Sequence, residues 1–291
     1  AEREKGANLK EEVAALRRKL LTSENARRKL HNELQELKGN VRVFVRVRPE
    51  GGDGQRTVVE VDDDLGTVGV PCRGEFHPFN FDRTFSPRAT QDDLFAEVSA
   101  YVQSALDGFN VSLFAYGQTG SGKTHTMFGQ KSDPGLIPRA IDQILLTVEQ
   151  ESANGWSYQM HASFIEIYNE QVRDLLCSST EEEGKKHQIT QGENGRNDVT
   201  DTVTVPVLTH DDVTEIMTVA QGNRSTAKTD MNEHSSRSHT VFSLRITATR
   251  STVGQTQTLH GTLHLVDLAG SERLARSHAT GDRLKETQSI N

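Results

Sequence analysis

Residues 117–124 read Gly-Gln-Thr-Gly-Ser-Gly-Lys-Thr, a complete G-x-x-x-x-G-K-[ST] pattern. Glycines at these spacings let successive backbone N–H groups turn inward around phosphate oxygens, where side chains would obstruct them. Lys123 then supplies positive charge to the β- and γ-phosphates, and the Thr124 hydroxyl suits a Mg²⁺ ligand. A second group is Leu263-His264-Leu265-Val266-Asp267-Leu268-Ala269-Gly270. An apolar strand ending in Asp-x-x-Gly places a carboxylate near a Mg²⁺ shell and a flexible glycine amide near a terminal phosphate. By itself, Asp267 could simply start a turn; downstream of a phosphate loop it gains weight. A third group is Asn232-Glu233-His234-Ser235-Ser236-Arg237-Ser238-His239. Hydroxyls and an arginine packed so densely before a strand suit a loop that senses γ-phosphate and metal. The plain alternative is an Asn/Ser-rich surface loop.

These residues need elements to hold them. Val111 to Tyr116 is a short, almost wholly apolar run, as expected of a buried central strand that delivers the glycine loop. A helix follows the loop, and its N-terminal dipole favours anions. Upstream, Val41 to Val47 alternates like a half-buried strand ended by Pro49, and 57–85 read as short strands broken by Gly and Pro. Thr90 is placed to cap a helix running to about Leu106, with Leu94, Val98 and Val102 on one face. Pro134 to about Glu149 reads as a helix and Ser157 to Tyr168 as a long strand. Residues 178–198, with Glu181-Glu182-Glu183 before Lys185-Lys186, read as a solvated loop. Thr209 caps a helix to about Gln221, and strands His239–Arg250 and Thr258–Asp267 flank a turn at 251–257. Alternating strands and helices predict an α/β body around a mixed sheet.

Ahead of this body, Leu9, Val13, Leu16, Leu20, Ser23, Arg27, Leu30, Leu34 and Leu37 follow the alternating four-three spacing of a heptad seam. Seven of these nine are apolar, a narrow stripe that favours a coiled coil over a helix packed on its own domain. Gly39-Asn40 stops the helix. The reading is therefore a coiled-coil segment over 1–39 and a nucleotide-binding body over 40–291.

Composition narrows the function classes. The net charge of -8 conceals +3 over residues 1–38 and -11 over the rest. An acidic body is a poor nucleic-acid binder, because neutralising phosphates needs Lys and Arg. No apolar run is long enough to span a membrane, and no leader precedes the first structured segment. The two cysteines, Cys72 and Cys177, form no C-x-x-C and read as reduced structural thiols of an intracellular protein. His260 and His264 could share a strand face, and His234 and His239 flank the third motif, but no Cys or carboxylate cluster completes a zinc shell.

Taken in order, GQTGSGKT, NEHSSRSH and DLAGSE resemble the P-loop, switch I and switch II of the kinesin motor superfamily. The likeness extends through Arg46-Val47-Arg48-Pro49, Phe114-Ala115-Tyr116, Glu166-Ile167-Tyr168-Asn169-Glu170 and Arg173-Asp174-Leu175-Leu176, covering about residues 40–291. Val45 stands where a cysteine is usual. In Glu36-Leu37-Lys38-Gly39-Asn40-Val41-Arg42-Val43-Phe44 a coil feeds directly into the first core strand. That order resembles the C-terminal-motor, minus-end-directed kinesin-14 group, and Arg28-Lys29-Leu30-His31-Asn32 resembles its mitotic spindle members.

The resemblance implies a P-loop NTPase motor fold, a central mixed sheet flanked by helices, with a coiled-coil neck before it. It places Arg46, Arg48 and Pro49 beside the adenine of ATP or ADP, with His125 flanking the base. Gly117, Gln118, Thr119, Gly120, Ser121, Gly122, Lys123 and Thr124 hold the phosphates. Thr124 and Ser236 surround Mg²⁺, on which Asp267 acts through water. Asn232 and Ser235 order the attacking water or the γ-phosphate, Gly270 offers its amide, and Arg237 with Glu272 bridges switch I to switch II. The implied partner is the microtubule, and the implied assembly a homodimer through the N-terminal coil, in the cytoplasm on the microtubule cytoskeleton and spindle. Glu286 to Asn291 would begin the helix that lies against the microtubule, so the motor body is expected to be C-terminally incomplete.

Two other classes remain to be weighed. A non-catalytic microtubule-binding subunit with a motor fold would have lost some of these groups, yet GQTGSGKT, both switch serines, Asp267 and Glu272 are all present. A regulatory GTPase would carry the guanine-reading Asn-Lys-x-Asp, which is absent, so ATP is favoured.

Overall fold

The computed structural model describes residues 2–49, 58–182, 184–191, 197–226, 234–252 and 255–272. They divide into two units: one holds the residues up to Val47 with 58–86, the other Arg48, Pro49 and the residues from Pro87 on.

The first unit opens with α1 (Glu2–Leu37). It closes where the Lys38 and Gly39 amides reach back to the carbonyls of Leu34 and Glu36, and Asn40 lies beyond it. The described residues of the apolar seam stand in solvent, with Leu9, Leu16, Leu30 and Leu37 each more than half exposed. Strand β1 (Phe44–Arg46) pairs in parallel with β5 (Arg83–Phe85), and β2 (Glu60–Asp62), β3 (Thr67–Cys72) and β4 (Glu75–Asn80) form an antiparallel sheet. The expected strand over 41–47 is thus only three residues long. Its flanks meet β5 through loop bonds instead: the Val43 amide donates to the Asp82 carboxylate at 2.7 Å.

In the second unit, α2 (Gln91–Leu106) begins at Thr90 with a full capping box. The Thr90 hydroxyl accepts from the Asp93 amide, and the Asp93 carboxylate accepts from the Thr90 amide. Leu94, Val98 and Val102 are buried on one helix face, as their spacing requires. Then follow β6 (Asn110–Ala115), α3 (Lys123–Met127), the short pair β7 (Gly129–Gln130) and β8 (Asp133–Pro134), and α4 (Leu136–Ala153). The chain continues through β9 (Trp156–Tyr168), β10 (Gln171–Asp174), α5 (Ser179–Glu182), β11 (Ile189–Gln191), β12 (Asn197–Val199) and β13 (Val205–Pro206). It then runs through α6 (His210–Thr226), α7 (His234–Arg237), β14 (His239–Thr252) and β15 (Gln255–Asp267).

The main sheet runs β10-β9-β14-β15-β6, with β13 also on β9. Its pairs are antiparallel except β15 with β6, which is parallel, so the sheet is mixed as expected. The core lies where α4 covers it: Ile137, Ile141 and Ile144 are fully buried, and Phe128 and Phe242 pack on Phe164 with ring centroids 5.9 and 5.6 Å away. No helix among the described residues is long and apolar enough to cross a membrane.

Three expectations need correction. β6 is at the end of the described sheet, not at its centre, and Phe114 is 61% exposed. An apolar run reports the preference of its residues for burial, not how many neighbouring strands they find. Residues 178–198 are not simply a loop, because α5 and the β11–β12 hairpin form there around a buried His187. β14 and β15 run further into 251–257 than expected, pairing continuously from Thr240–Asp267 out to Thr252–Gln255.

Candidate nucleotide site

Parallel pairing of β6 with β15 sets Ala115 opposite Asp267, so the chain leaves both strands at the same sheet end. The Leu268 amide bonds to Ala115 O at 3.2 Å and the Ser271 amide to Gly117 O at 3.1 Å. The glycine loop and the Asp-x-x-Gly segment, 150 positions apart by Gly117 and Asp267 numbering, are therefore backbone neighbours. Gly120 (φ 78) and Gly122 (φ 103) lie in the left-handed region, which lets the loop curl before α3 begins at Lys123.

Lys123 Nζ donates to the carbonyls of Gly117 at 2.8 Å and Gln118 at 3.0 Å. Burial lowers its pKa, against the opposing pull of Asp267 and Glu272. The Thr124 hydroxyl donates to Asp267 Oδ2 at 2.7 Å. Asp267 is 3% exposed, and burial raises its pKa against the Thr124 bond and the charges of Arg224, Lys123 and His239. Its second oxygen, Oδ1, is buried and accepts no hydrogen bond among the described residues. A hydroxyl and a carboxylate are hard oxygen donors of the kind Mg²⁺ selects, and the unbonded Oδ1 leaves acceptor capacity, so these residues fit that ion.

Glu272 reaches the glycine loop: its carboxylate accepts from the Thr119 amide at 2.9 Å and from the Thr119 hydroxyl. Burial pulls its pKa up, but these bonds and Lys123 outweigh that and hold it below the usual value. The Gly270 amide bonds to the Ser236 carbonyl at 2.6 Å, tying α7 to the segment after β15. His239 Nδ1 accepts from the Ala269 amide at 3.1 Å, and burial lowers its pKa. His264 and His260 instead face strand hydroxyls, Ser243 at 2.8 Å and Thr247 at 3.4 Å.

Other expected residues fall as follows. The Arg48 guanidinium donates to Gly120 O, and Pro49 is exposed beside it. His125 is exposed, and Gln91, fully buried at the start of α2, clamps it by donating to both its ring Nδ1 (3.0 Å) and its carbonyl (2.8 Å). Arg46 lies on β1, in the first unit. Ser236 and Arg237 are half-buried on α7. Asn232 lies outside the described residues, and Ser235 is placed on α7 by its backbone alone.

Spacing did not single out Gln91, Glu166, Arg224 or Ser238. The Arg224 guanidinium faces Glu166, Asp267 and Ser238 together. One cue existed: Glu166 interrupts the apolar run Phe164-Ile165-Glu166-Ile167, and a carboxylate in a buried strand needs a partner.

The kinesin motor domain family model matches residues 57–291. The chain belongs to the kinesin motor family. Its relatives include the kinesin-like protein KIN-14D of Arabidopsis thaliana, 46% identical over 97% of this chain, and kinesin-like protein 2 of Schizosaccharomyces pombe, 45% identical over 99%. This chain spans only 38% and 36% of those two proteins. Among solved structures it resembles the C-terminal motor and motor homology domain of Kar3Vik1 fused to a synthetic heterodimeric coiled coil. That match has a TM-score of 0.83 and 41% identity, covering 99% of this chain and 80% of the other. The motor domain of Saccharomyces cerevisiae Kar3 matches with a TM-score of 0.74 and 40% identity, over 87% of this chain and 78% of the other. The mixed sheet with flanking helices is therefore a kinesin motor fold.

Proposed function

We propose that the whole protein is a microtubule-stimulated ATPase that converts ATP hydrolysis into movement along microtubules. The observation that carries this is the 2.7 Å bond between Thr124 on the P-loop and Asp267 at the end of β15, a hydroxyl–carboxylate pair on the phosphate-binding loop. P-loop amides and Lys123 bind and orient the phosphates, and phosphoryl transfer needs no protein nucleophile because it rests on positioning and electrostatics. Thr124, Ser236 and, through water, Asp267 would hold Mg²⁺, which would supply positive charge to neutralise the phosphates. Asn232 and Ser235 orient the attacking water, and the Gly270 amide reads the γ-phosphate. Arg237 and Glu272 close switch I on switch II, a contact made when γ-phosphate draws both loops inward. Arg48, Pro49 and His125 hold the adenine.

The finer reading follows the kinesin-14 relatives: minus-end-directed movement, a spindle role in the cytoplasm, and a homodimer joined through the exposed seam of α1. Residues 1–39 then act as the neck and the body from residue 40 as the motor.

ATP turnover of the whole protein with and without microtubules tests the central claim. Strong stimulation is expected, with Lys123→Ala lowering turnover by about 100-fold or more, as for loss of a major electrostatic contact to the reacting group. Microtubule binding by a well-folded protein without turnover would overturn it in favour of a non-catalytic motor-fold subunit.

A further inference from the structure

Gln91 begins α2, next to the Thr90–Asp93 capping box, and is fully buried. A carboxamide taken wholly out of water needs partners for its polar atoms. Its nitrogen has two on a single residue of α3: His125 Nδ1 at 3.0 Å and the His125 carbonyl at 2.8 Å. A carbonyl only accepts, so the atom facing it is the NH₂ group and not the amide oxygen. An NH₂ group only donates, so Nδ1 accepts and carries no proton. The neutral ring is therefore the tautomer with its proton on Nε2.

The same two bonds fix where the ring lies. His125 is exposed, and the torsion about its Cβ–Cγ bond is broad and two-fold, so a ring held by nothing would sample flipped orientations. A flip puts a ring carbon where Nδ1 now accepts and loses that bond. The second bond ends on the main chain of the same residue, so Gln91 ties the ring to the backbone of α3, directly after Thr124. We propose that Gln91 is a positioning residue for the base of the nucleotide: it holds His125 in one tautomer and one orientation, so the surface that flanks the base is set before the nucleotide arrives. This rests on the reading above that His125 lies beside the base. Gln91 is buried and acts through His125. Holding a side chain in its bound arrangement raises affinity by removing the cost of ordering it on binding. The plain alternative is that Gln91 only satisfies one of the last carbonyls of the five-residue α3.

The test uses the whole protein and two competitors of a ribose-labelled fluorescent ADP: unlabelled ADP, and inorganic pyrophosphate, which has no base. The ratio of the two affinities isolates the contribution of the base. His125→Ala is expected to lower ADP affinity relative to pyrophosphate. Gln91→Met should lower the same ratio by about 3- to 10-fold, the scale of ordering one side chain on binding. It should lower it no further once His125 is Ala, because the carbonyl bond remains in that background and the ring does not. Where Gln91→Met does not fold, Gln91→Asn is read in the same comparison, being polar but one methylene too short to span both acceptors. A wild-type ratio, an equal fall in both backgrounds, or a parallel loss of ADP and pyrophosphate affinity would each show that Gln91 only supports α3, and the proposal is overturned. If His125→Ala itself leaves the ratio unchanged, the base does not lie against His125, and that reading fails and takes this proposal with it.

Discussion

His187 shows how far a single side chain can depart from its surroundings in sequence. It sits in a polar stretch, yet its side chain is fully buried, with Nδ1 2.7 Å from the Thr200 carbonyl and Nε2 2.8 Å from Glu182 Oε1. A carbonyl only accepts, so Nδ1 carries a proton, and the carboxylate favours a second on Nε2. Burial opposes that charge most strongly, but Thr200, Glu182 and Asp174 together outweigh it and raise the pKa above 6.5. A raised histidine pKa contributes stability that is fully present below the unfolded value and lost as pH rises through the folded one. His187→Gln is therefore expected to cost about 1–3 kcal/mol, the scale of a lost hydrogen bond to a charged group. The cost should be larger near pH 6 than near pH 9. Urea unfolding of both proteins at the two pH values checks it; an equal or reversed difference would show that the ring is neutral when folded. The same logic applies at Glu272, where Thr119 holds the carboxyl ionised against burial, so the P-loop contact weakens as pH falls through its lowered pKa.

At the scale of elements, the site depends on how closely α2 lies over β15. Gly261 makes this approach possible: a Cβ there would lie 1.9 Å from the Ala105 carbonyl oxygen, near the end of α2. Because that atom is backbone, no rotamer change relieves the clash, and helix and strand must separate. Gly261→Ala is expected to destabilise the protein by about 1–3 kcal/mol, the usual cost of overpacking. A denaturant midpoint lowered without a change of slope is the expected signature. A wild-type midpoint would mean that α2 shifts freely over the sheet. Since α2 also carries Gln91, which clamps His125, a shifted helix should raise the KM for nucleotide as well.

For the molecule as a whole, α1 poses the main question of assembly. Leu9, Val13, Leu16, Leu20, Leu30, Leu34 and Leu37 are between 40% and 86% exposed on one helix, in four-three spacing. A second helix of the same pattern would bury them as coiled-coil knobs at about 25 cal/mol per Å² of apolar surface. Placing Lys at both Leu16 and Leu20 is expected to convert a dimer to a monomer in sedimentation equilibrium at micromolar concentration. The basic balance of residues 1–38 adds little to that argument, because exposed charges are screened within about 10 Å at 0.1 M salt. A dimer that survives both substitutions would locate the assembly elsewhere.

What was legible in the amino-acid order was everything governed by local chemistry. Gly117 to Thr124 need only one another to form a phosphate cradle, Thr90 and Asp93 need only the first turn of their helix, and Leu94, Val98 and Val102 need only its 3.6-residue period. The order of the three motifs carried the family. Pairing across the sheet was not legible. The parallel register of β6 and β15 puts Thr124 against Asp267, and the antiparallel register of β9, β14 and β15 puts Glu166 and Asp267 on either side of Thr240. The first pairs residues 152 positions apart and the β9–β14 register pairs residues 72 to 94 positions apart along the chain, and no local periodicity encodes them. For the same reason β6 read as a central strand but lies at the end of the described sheet, and Arg224, beyond the expected helix end near Gln221, was not singled out. Its contacts with Glu166, Asp267 and Ser238 exist only where α6 meets β9, the start of β14 and the end of β15.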